Sequence, residues 1–201
     1  IKKAAEIRLQ HPQLCQSDIA IGYTNLAEFV TALIAFDGWC STVYLCPTKV
    51  ATPKKELIQW PLIGDAAIDD STREQLVSSS SAHVQTTWYM ATSGTTGEPK
   101  WFAHSFLSLT ASTKHSQQLQ VLCWALLYQP FRFAGLQVVL QALLSGADLV
   151  DAADYEPLAL MAQLKQHEVT AISATPSLWR QLLMTGLLAE LNLRYITLGG
   201  E

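Results

Sequence analysis

Residues 92–100 read Thr92-Ser93-Gly94-Thr95-Thr96-Gly97-Glu98-Pro99-Lys100. This run suits a polyphosphate. Glycines let the backbone approach a ligand closely and take up positive φ. The N–H groups of such a loop form a nest for an anion. Thr92, Ser93, Thr95 and Thr96 add hydroxyl donors, and Lys100 adds a cation. The spacing disfavours a Walker loop, which needs Gly, four residues, then Gly-Lys-Ser/Thr. Here only two residues separate Gly94 from Gly97, and Trp101 stands where the magnesium-binding hydroxyl belongs. A second candidate is Gly199-Gly200-Glu201, which follows an apolar run.

The elements that must hold these residues alternate between strand and helix patterns. Asp18–Ile21 reads as a short strand. Asn25-x-x-Glu28 resembles a capping box, with Asn as the cap. Leu26, Phe29, Val30, Leu33 and Ile34 then share a helical face, with Gly38 as the stop. Ser41–Cys46 is a strand closed by Pro47, Lys49–Lys55 a polar loop, and Leu57–Ile63 an edge strand or turn because of Pro61. Ser71–Thr87 reads as loop around Ser78-Ser79-Ser80-Ser81. A boundary is expected there, giving a first α/β subdomain over 1–86 and a second over 87–201.

In the second half the pattern predicts a strand at Trp88–Ala91 and a helix over Phe106–Gln120 capped by Ser105. A strand at Val121–Tyr128 and a helix at Gly135–Leu144 ended by Ser145-Gly146 follow. Ala147–Asp151 is a strand, and Pro157–His167 is a helix with Pro in its first turn. Val169–Ala174 is a strand, Thr175 caps a helix through Leu183, and Arg194–Leu198 is a strand. Alternation of this kind means parallel-sheet layers with flanking helices, an α/β fold. Ligands of such sheets bind beyond the carboxyl ends of the strands. Both candidate loops fall there.

Composition narrows the function classes. Across 201 residues, 49% are apolar and 15% charged, a core-forming balance. The net charge of -4 and the lack of a basic patch argue against nucleic acid. The apolar runs 29–45 and 133–150 are interrupted by polar residues, so no membrane span is expected. Cys15, Cys40, Cys46 and Cys123 form no C-x-x-C pair and no metal spacing with histidines. Buried free thiols in a reducing, cytoplasmic compartment are the expectation. The chain lacks an initiating Met and stops after Glu201, so a piece of a longer protein is expected.

Thr92–Lys100 is similar to the phosphate-binding loop of the adenylate-forming superfamily: acyl-CoA synthetases, peptide-synthetase adenylation domains and luciferases. All nine contiguous positions match. Residues 29–47, 135–150, 174–183 (ATPSLWRQLL) and 193–201 (LRYITLGGE) resemble further blocks of that family. The resemblance implies part of the large N-terminal domain of an adenylate-forming enzyme. It implies that Thr92, Ser93, Gly94, Thr95, Thr96, Gly97 and Lys100 hold the ATP phosphates with Mg²⁺, and that Gly199, Gly200 and Glu201 line the adenine.

The family's Pro-x-aromatic-His block has its counterpart in Gln129-Pro130-Phe131-Arg132-Phe133-Ala134-Gly135-Leu136. Phe131, Arg132, Phe133 and Gly135 are therefore the candidate substrate residues. Arg132 takes the His position, which is a departure, and a guanidinium cannot serve as a base. Amino-acid-activating members place Asp where Phe133 stands. An ammonium buried beside Phe without a carboxylate is costly. A fatty or aryl acid is therefore expected rather than an amino acid. His104-Ser105 is read as a polar residue beside a helix cap, and Trp88, Trp101, Trp124 and Trp179 as core or rim.

The implied chemistry is ATP-dependent formation of an acyl-AMP, then transfer to the thiol of coenzyme A or of an acyl carrier protein's phosphopantetheine. No side-chain nucleophile is needed. The family's Tyr-Gly-x-Thr-Glu block, ribose-binding Asp and C-terminal Lys come later in family order, so these 201 residues alone are expected to be inactive. The competing readings are a non-catalytic nucleotide-binding or scaffold module and an amino-acid-activating domain.

Overall fold

The computed structural model describes residues 1–47, 57–61, 84–92 and 99–199. The chain divides into two compact units, Ile1–Leu109 and Thr110–Glu201.

The first unit is built on strands β1 (Asp18–Gly22), β2 (Thr42–Cys46), β3 (Ile58–Trp60), β4 (Thr87–Thr92) and β5 (Lys100–Ser105). Their order is β3-β1-β2-β4-β5. β1 pairs in parallel with β2 and β3, β2 pairs in parallel with β4, and β5 runs antiparallel to β4. The centres of β1 and β2 are buried on both faces, as parallel strands covered on both sides must be. Tyr44 stacks on Tyr89 at 4.5 Å between ring centroids and meets the Trp101 ring edge-on.

Helices α1 (Lys2–Gln10) and α2 (Leu26–Phe36) also belong to this unit. The cap predicted for α2 is present: the Glu28 amide donates to Asn25 Oδ1 at 3.0 Å, and Thr24 Oγ1 donates to the Glu28 carboxylate at 2.6 Å. At the other end, Arg8 of α1 donates to the carbonyls of Ala35, Ile34 and Asp37 at 2.5, 3.1 and 2.7 Å. These are the carbonyls that a helix end leaves without partners. Trp88 Nε1 donates to Asp37 Oδ1 at 3.1 Å. Thr86 is 4% exposed, and its hydroxyl donates to Cys40 O at 2.8 Å and accepts from the Gly38 amide at 2.9 Å. One side chain thus ties the turn after α2 to the start of β4.

The second unit has strands β6 (Cys123–Leu126), β7 (Asp148–Asp151), β8 (Ala171–Ala174) and β9 (Tyr195–Leu198) in the order β7-β6-β8-β9, all parallel. Its helices are α5 (Phe133–Ser145), α6 (Pro157–Gln166) and α7 (Pro176–Met184). Leu160, Met161, Leu164, Ile172, Trp179 and Leu182 form the core between α6, α7 and the sheet. Gly146, at φ +73°, closes α5 in the left-handed region. Thr175 Oγ1 accepts from the Leu178 amide at 3.1 Å, the predicted cap of α7.

Three expectations are corrected. The unit boundary lies at 109/110 and not at 86/87, because β4 pairs with β2 and carries β5 into the first sheet. Residues 100–105 are a strand for which the sequence reading assigned none. The helix expected over 106–120 is two short pieces, α3 (Phe106–Thr110) and α4 (Gln117–Gln120). Ser105 does cap α3, accepting from the Ser108 amide at 3.1 Å. Between the pieces, side chains of α5 compete for the backbone: the Lys114 amide donates to Gln141 Oε1 and Gln141 Nε2 donates to Lys114 O, both at 2.9 Å. The loops expected at Lys49–Lys55 and Ser78–Ser81 lie outside the described residues.

All four cysteines are free thiols. Burial pushes Cys40 up to about 12 and Cys46 up to about 11. An unfolded chain ionises its thiols at about 8.5 and binds fewer protons than the folded one above that value. Stability is therefore expected to be constant in these groups at neutral pH and to fall from pH ~8.5 upward, until the buried thiols themselves ionise. Urea midpoints measured between neutral and alkaline pH, with Cys40→Ala flattening the slope, check this. Thr86→Val should cost about 1–3 kcal/mol in the same assay, because it leaves the Gly38 amide without its partner.

Candidate functional site

Thr92 ends β4 and Lys100 begins β5, and the two are register partners. Both are exposed. Thr92 lies at the edge where the parallel strands β1, β2 and β4 end. This is the side of a parallel sheet where ligands bind. The structure thus fixes both ends of the predicted phosphate segment. Ser93, Gly94, Thr95, Thr96 and Gly97 lie outside the described residues, as do Gly200 and Glu201.

The second unit contains a cavity of about 380 Å³ lined by Trp124, Tyr128, Phe133, Gln137, Tyr195 and Gly199, among others. Its floor is the sheet and one wall is α5. Phe133 and Gly199, assigned from sequence to substrate and nucleotide, meet in this one cavity. Phe133 is the first residue of α5 and is 52% exposed. Gly199 follows β9, and its carbonyl accepts from Tyr128 Oη at 2.9 Å. Burial pushes the Tyr128 phenol up, opposed by a hydrogen bond with Ser173.

Phe131 is buried beneath this turn, and the Arg132 guanidinium lies 5.8 Å from its ring centroid. Arg132 is the exposed N-cap of α5 and does not line the cavity. Gly135 acts on the backbone. A Cβ there would overlap the Gln129 carbonyl and reach Pro130 Cα at 3.0 Å. The glycine lets the first turn of α5 press against residues 129 and 130.

The sequence reading missed most of the cavity wall. Gln137 and Gln141 are the only polar side chains in the middle of α5, four residues apart and in line with Phe133. That stripe on an apolar helix was the available signal. Ser112 Oγ donates to Gln137 Oε1 at 2.6 Å, and with the Gln141 pair this straps residues 112–114 to α5. Trp124 and Trp179 are buried and Trp101 half-buried, as core or rim residues should be. His104 sits in β5 opposite Trp88.

The family model of AMP-binding enzymes matches residues 42–201. The chain belongs to this family of AMP-binding enzymes. The match runs across both the Thr92–Lys100 segment and the cavity of the second unit. A curated relative is the 2-succinylbenzoate–CoA ligase of Bacillus velezensis, 28% identical over 183 residues. The alignment covers 84% of this chain and 33% of that enzyme, so the chain spans about a third of its length.

Among solved structures, the N-terminal domain of Mycobacterium tuberculosis FACL13 with bound inhibitor superposes with a TM-score of 0.69 at 19% identity, covering 99% of this chain and 60% of that one. The O-succinylbenzoate coenzyme A synthetase MenE of Bacillus subtilis in complex with ATP and magnesium gives 0.64 at 22% identity, covering 99% and 48%. These likenesses establish the fold, a mixed α/β architecture with parallel sheets and flanking helices shared with those N-terminal domains. Among the described residues no helix is long and apolar enough to cross a membrane.

Gly135→Ala is expected to cost about 3 kcal/mol or more, because the clash is with backbone and no side chain can yield. Chemical denaturation of the variant against the parent checks this.

Proposed function

We propose that this chain supplies nucleotide- and acid-binding elements of an ATP-dependent acid–thiol ligase that activates a carboxylic acid as its acyl-AMP. The observation that carries the reading is the family match over residues 42–201. In the first step a carboxylate oxygen attacks the α-phosphorus of ATP and pyrophosphate leaves. In the second, a thiolate attacks the acyl carbon and AMP leaves. Coenzyme A is the acceptor this reading favours, on the strength of the curated relative, with a carrier-protein phosphopantetheine as the alternative.

ATP enters as its magnesium complex, which supplies charge neutralisation to the departing pyrophosphate. The exposed Thr92 hydroxyl and Lys100 ammonium, opposite one another at a strand edge, suit the phosphates. With them go Ser93, Gly94, Thr95, Thr96 and Gly97, while Gly199, Gly200 and Glu201 take the adenine side. Catalysis of this kind rests on positioning and charge.

Phe131, Arg132, Phe133 and Gly135 form or support the acid side. Among the described residues no carboxylate lines the cavity. An α-ammonium would find no counter-charge there, which supports a fatty or aryl acid over an amino acid. The chain aligns with 33% of its curated relative, and on this reading these 201 residues alone are expected to yield no acyl-AMP.

Carboxylate-dependent ATP–pyrophosphate exchange on the full-length protein tests the proposal. Exchange with fatty or aryl acids and none with amino acids is expected. Exchange with amino acids only would overturn the acid class. No exchange with any acid, despite ATP binding, would establish the non-catalytic module instead. Thr92→Ala and Lys100→Ala should each raise the KM for ATP about tenfold, a loss of about 1.4 kcal/mol, with little change in thermal stability.

A further inference from the structure

The order β7-β6-β8-β9 puts β8 between β6 and β9. Tyr128 stands two residues past β6, and Gly199 directly follows β9, so both lie at the carboxyl edge of the second sheet. Two strand spacings, about 10 Å, separate their chains. The Tyr128 side chain bridges that distance across β8. Its hydroxyl hydrogen-bonds with Ser173 of β8 and donates to Gly199 O at 2.9 Å. One phenol thus joins the ends of three strands.

Gly199 is held from its other side as well. Its amide donates to Ala174 O, at the end of β8, at 3.3 Å. The amide belongs to the peptide plane before the residue and the carbonyl to the plane after it. Holding both planes fixes φ and ψ together. The strand that leads there is tied too, since Trp179 Nε1 donates to Thr197 O at 3.0 Å.

Stability does not call for the Tyr128 bond. Gly199 is exposed, so water would donate to its carbonyl in place of the phenol, and such an exchange changes stability little. Packing does not call for the glycine either. Among the described residues a Cβ at position 199 would meet nothing within 4 Å, and the φ there lies outside the left-handed region. The cavity wall therefore carries, beside open space, the residue type with the most backbone freedom, and two hydrogen bonds remove that freedom. The combination fits a backbone that a ligand approaches closely and that already holds its bound shape.

We propose that Tyr128 is a positioning residue, whose hydroxyl sets the Gly199 peptide in the orientation that the nucleotide meets. This rests on the adenylation reading, in which Gly199 takes the adenine side, and adds to it a residue that acts on the nucleotide through the backbone. The ring of Tyr128 lines the cavity where that reading places the acid. Ring and hydroxyl thus have separable parts, and Tyr128→Phe keeps the first while removing the second.

The test compares Tyr128→Phe with the parent in the full-length protein. Three quantities are read: the Kd for ATP by titration calorimetry, the KM for ATP and for the acid in ATP–pyrophosphate exchange, and the melting temperature by circular dichroism. Kd and KM for ATP are expected to rise about tenfold, the order that freeing one backbone residue gives. The KM for the acid and the melting temperature should stay at the parent's values. An unchanged affinity for ATP would overturn the proposal. So would losses for ATP and acid alike that accompany a lower melting temperature, since Tyr128 would then be a structural residue only. A parent that exchanges pyrophosphate with no acid, yet binds ATP about tenfold more tightly than the variant, would overturn adenylation and leave the part of Tyr128 standing. A parent that binds no ATP would overturn both.

Discussion

The second unit depends on one close approach. The first turn of α5 presses on the Gln129–Pro130 backbone, and only a residue without a side chain at position 135 permits it. Everything around the cavity follows from where α5 then lies. Phe133 reaches the carboxyl edge, and Gln137 and Gln141 follow on the same face. Those two amides hold residues 112–114 against the helix and so build the opposite wall. Elsewhere α5 turns Leu136, Val139 and Ala142 inward, so the helix that shapes the cavity is also anchored by burial. A glycine that reads in sequence as a site residue thus acts through geometry.

The legibility of this fold in its sequence was uneven for physical reasons. Elements with local signals were readable: Asn25 and Thr175 as caps, Gly146 as a stop, and the apolar runs of β1, β2, β6 and β8. Elements fixed by distant partners were not. Residues 100–105 are a strand because β4 offers an edge, and their side chains, all exposed or half-buried without strict alternation, carry little period-two signal. The Phe106–Gln120 pattern suits a helix, yet the amides of α5 claim its middle. The unit boundary moved for the same reason, since strand pairing across 40 residues of intervening chain leaves no local mark.

The site divides along the same line. Phe133 and Gly199 were legible through family resemblance and do meet in one cavity. Tyr128, Ser173, Thr197 and Lys114 come from four separate stretches of chain: the parallel register aligns Ser173 with Thr197, and hydrogen bonds with Gln141 bring Lys114 to them. Arg132 was the residue that looked most chemical, and the structure sets it on the exposed cap of α5, outside the cavity wall.

The charge of the cavity bears on the chemistry itself. Acyl-AMP formation brings together two anions, a carboxylate and a polyphosphate. At close range in a partly desolvated site their repulsion is large. On the proposed reading, a cavity wall of the second unit that carries no carboxylate among the described residues adds nothing to that repulsion. A wall without carboxylates among the described residues offers an ammonium no counter-charge, which supports the proposed fatty or aryl acid. On the same proposed reading Phe133, which lines the cavity at the position where the resemblance expects Asp in amino-acid-activating members, bears on both steps: a side chain without charge there adds no repulsion to an approaching anion and offers no partner to an amino group.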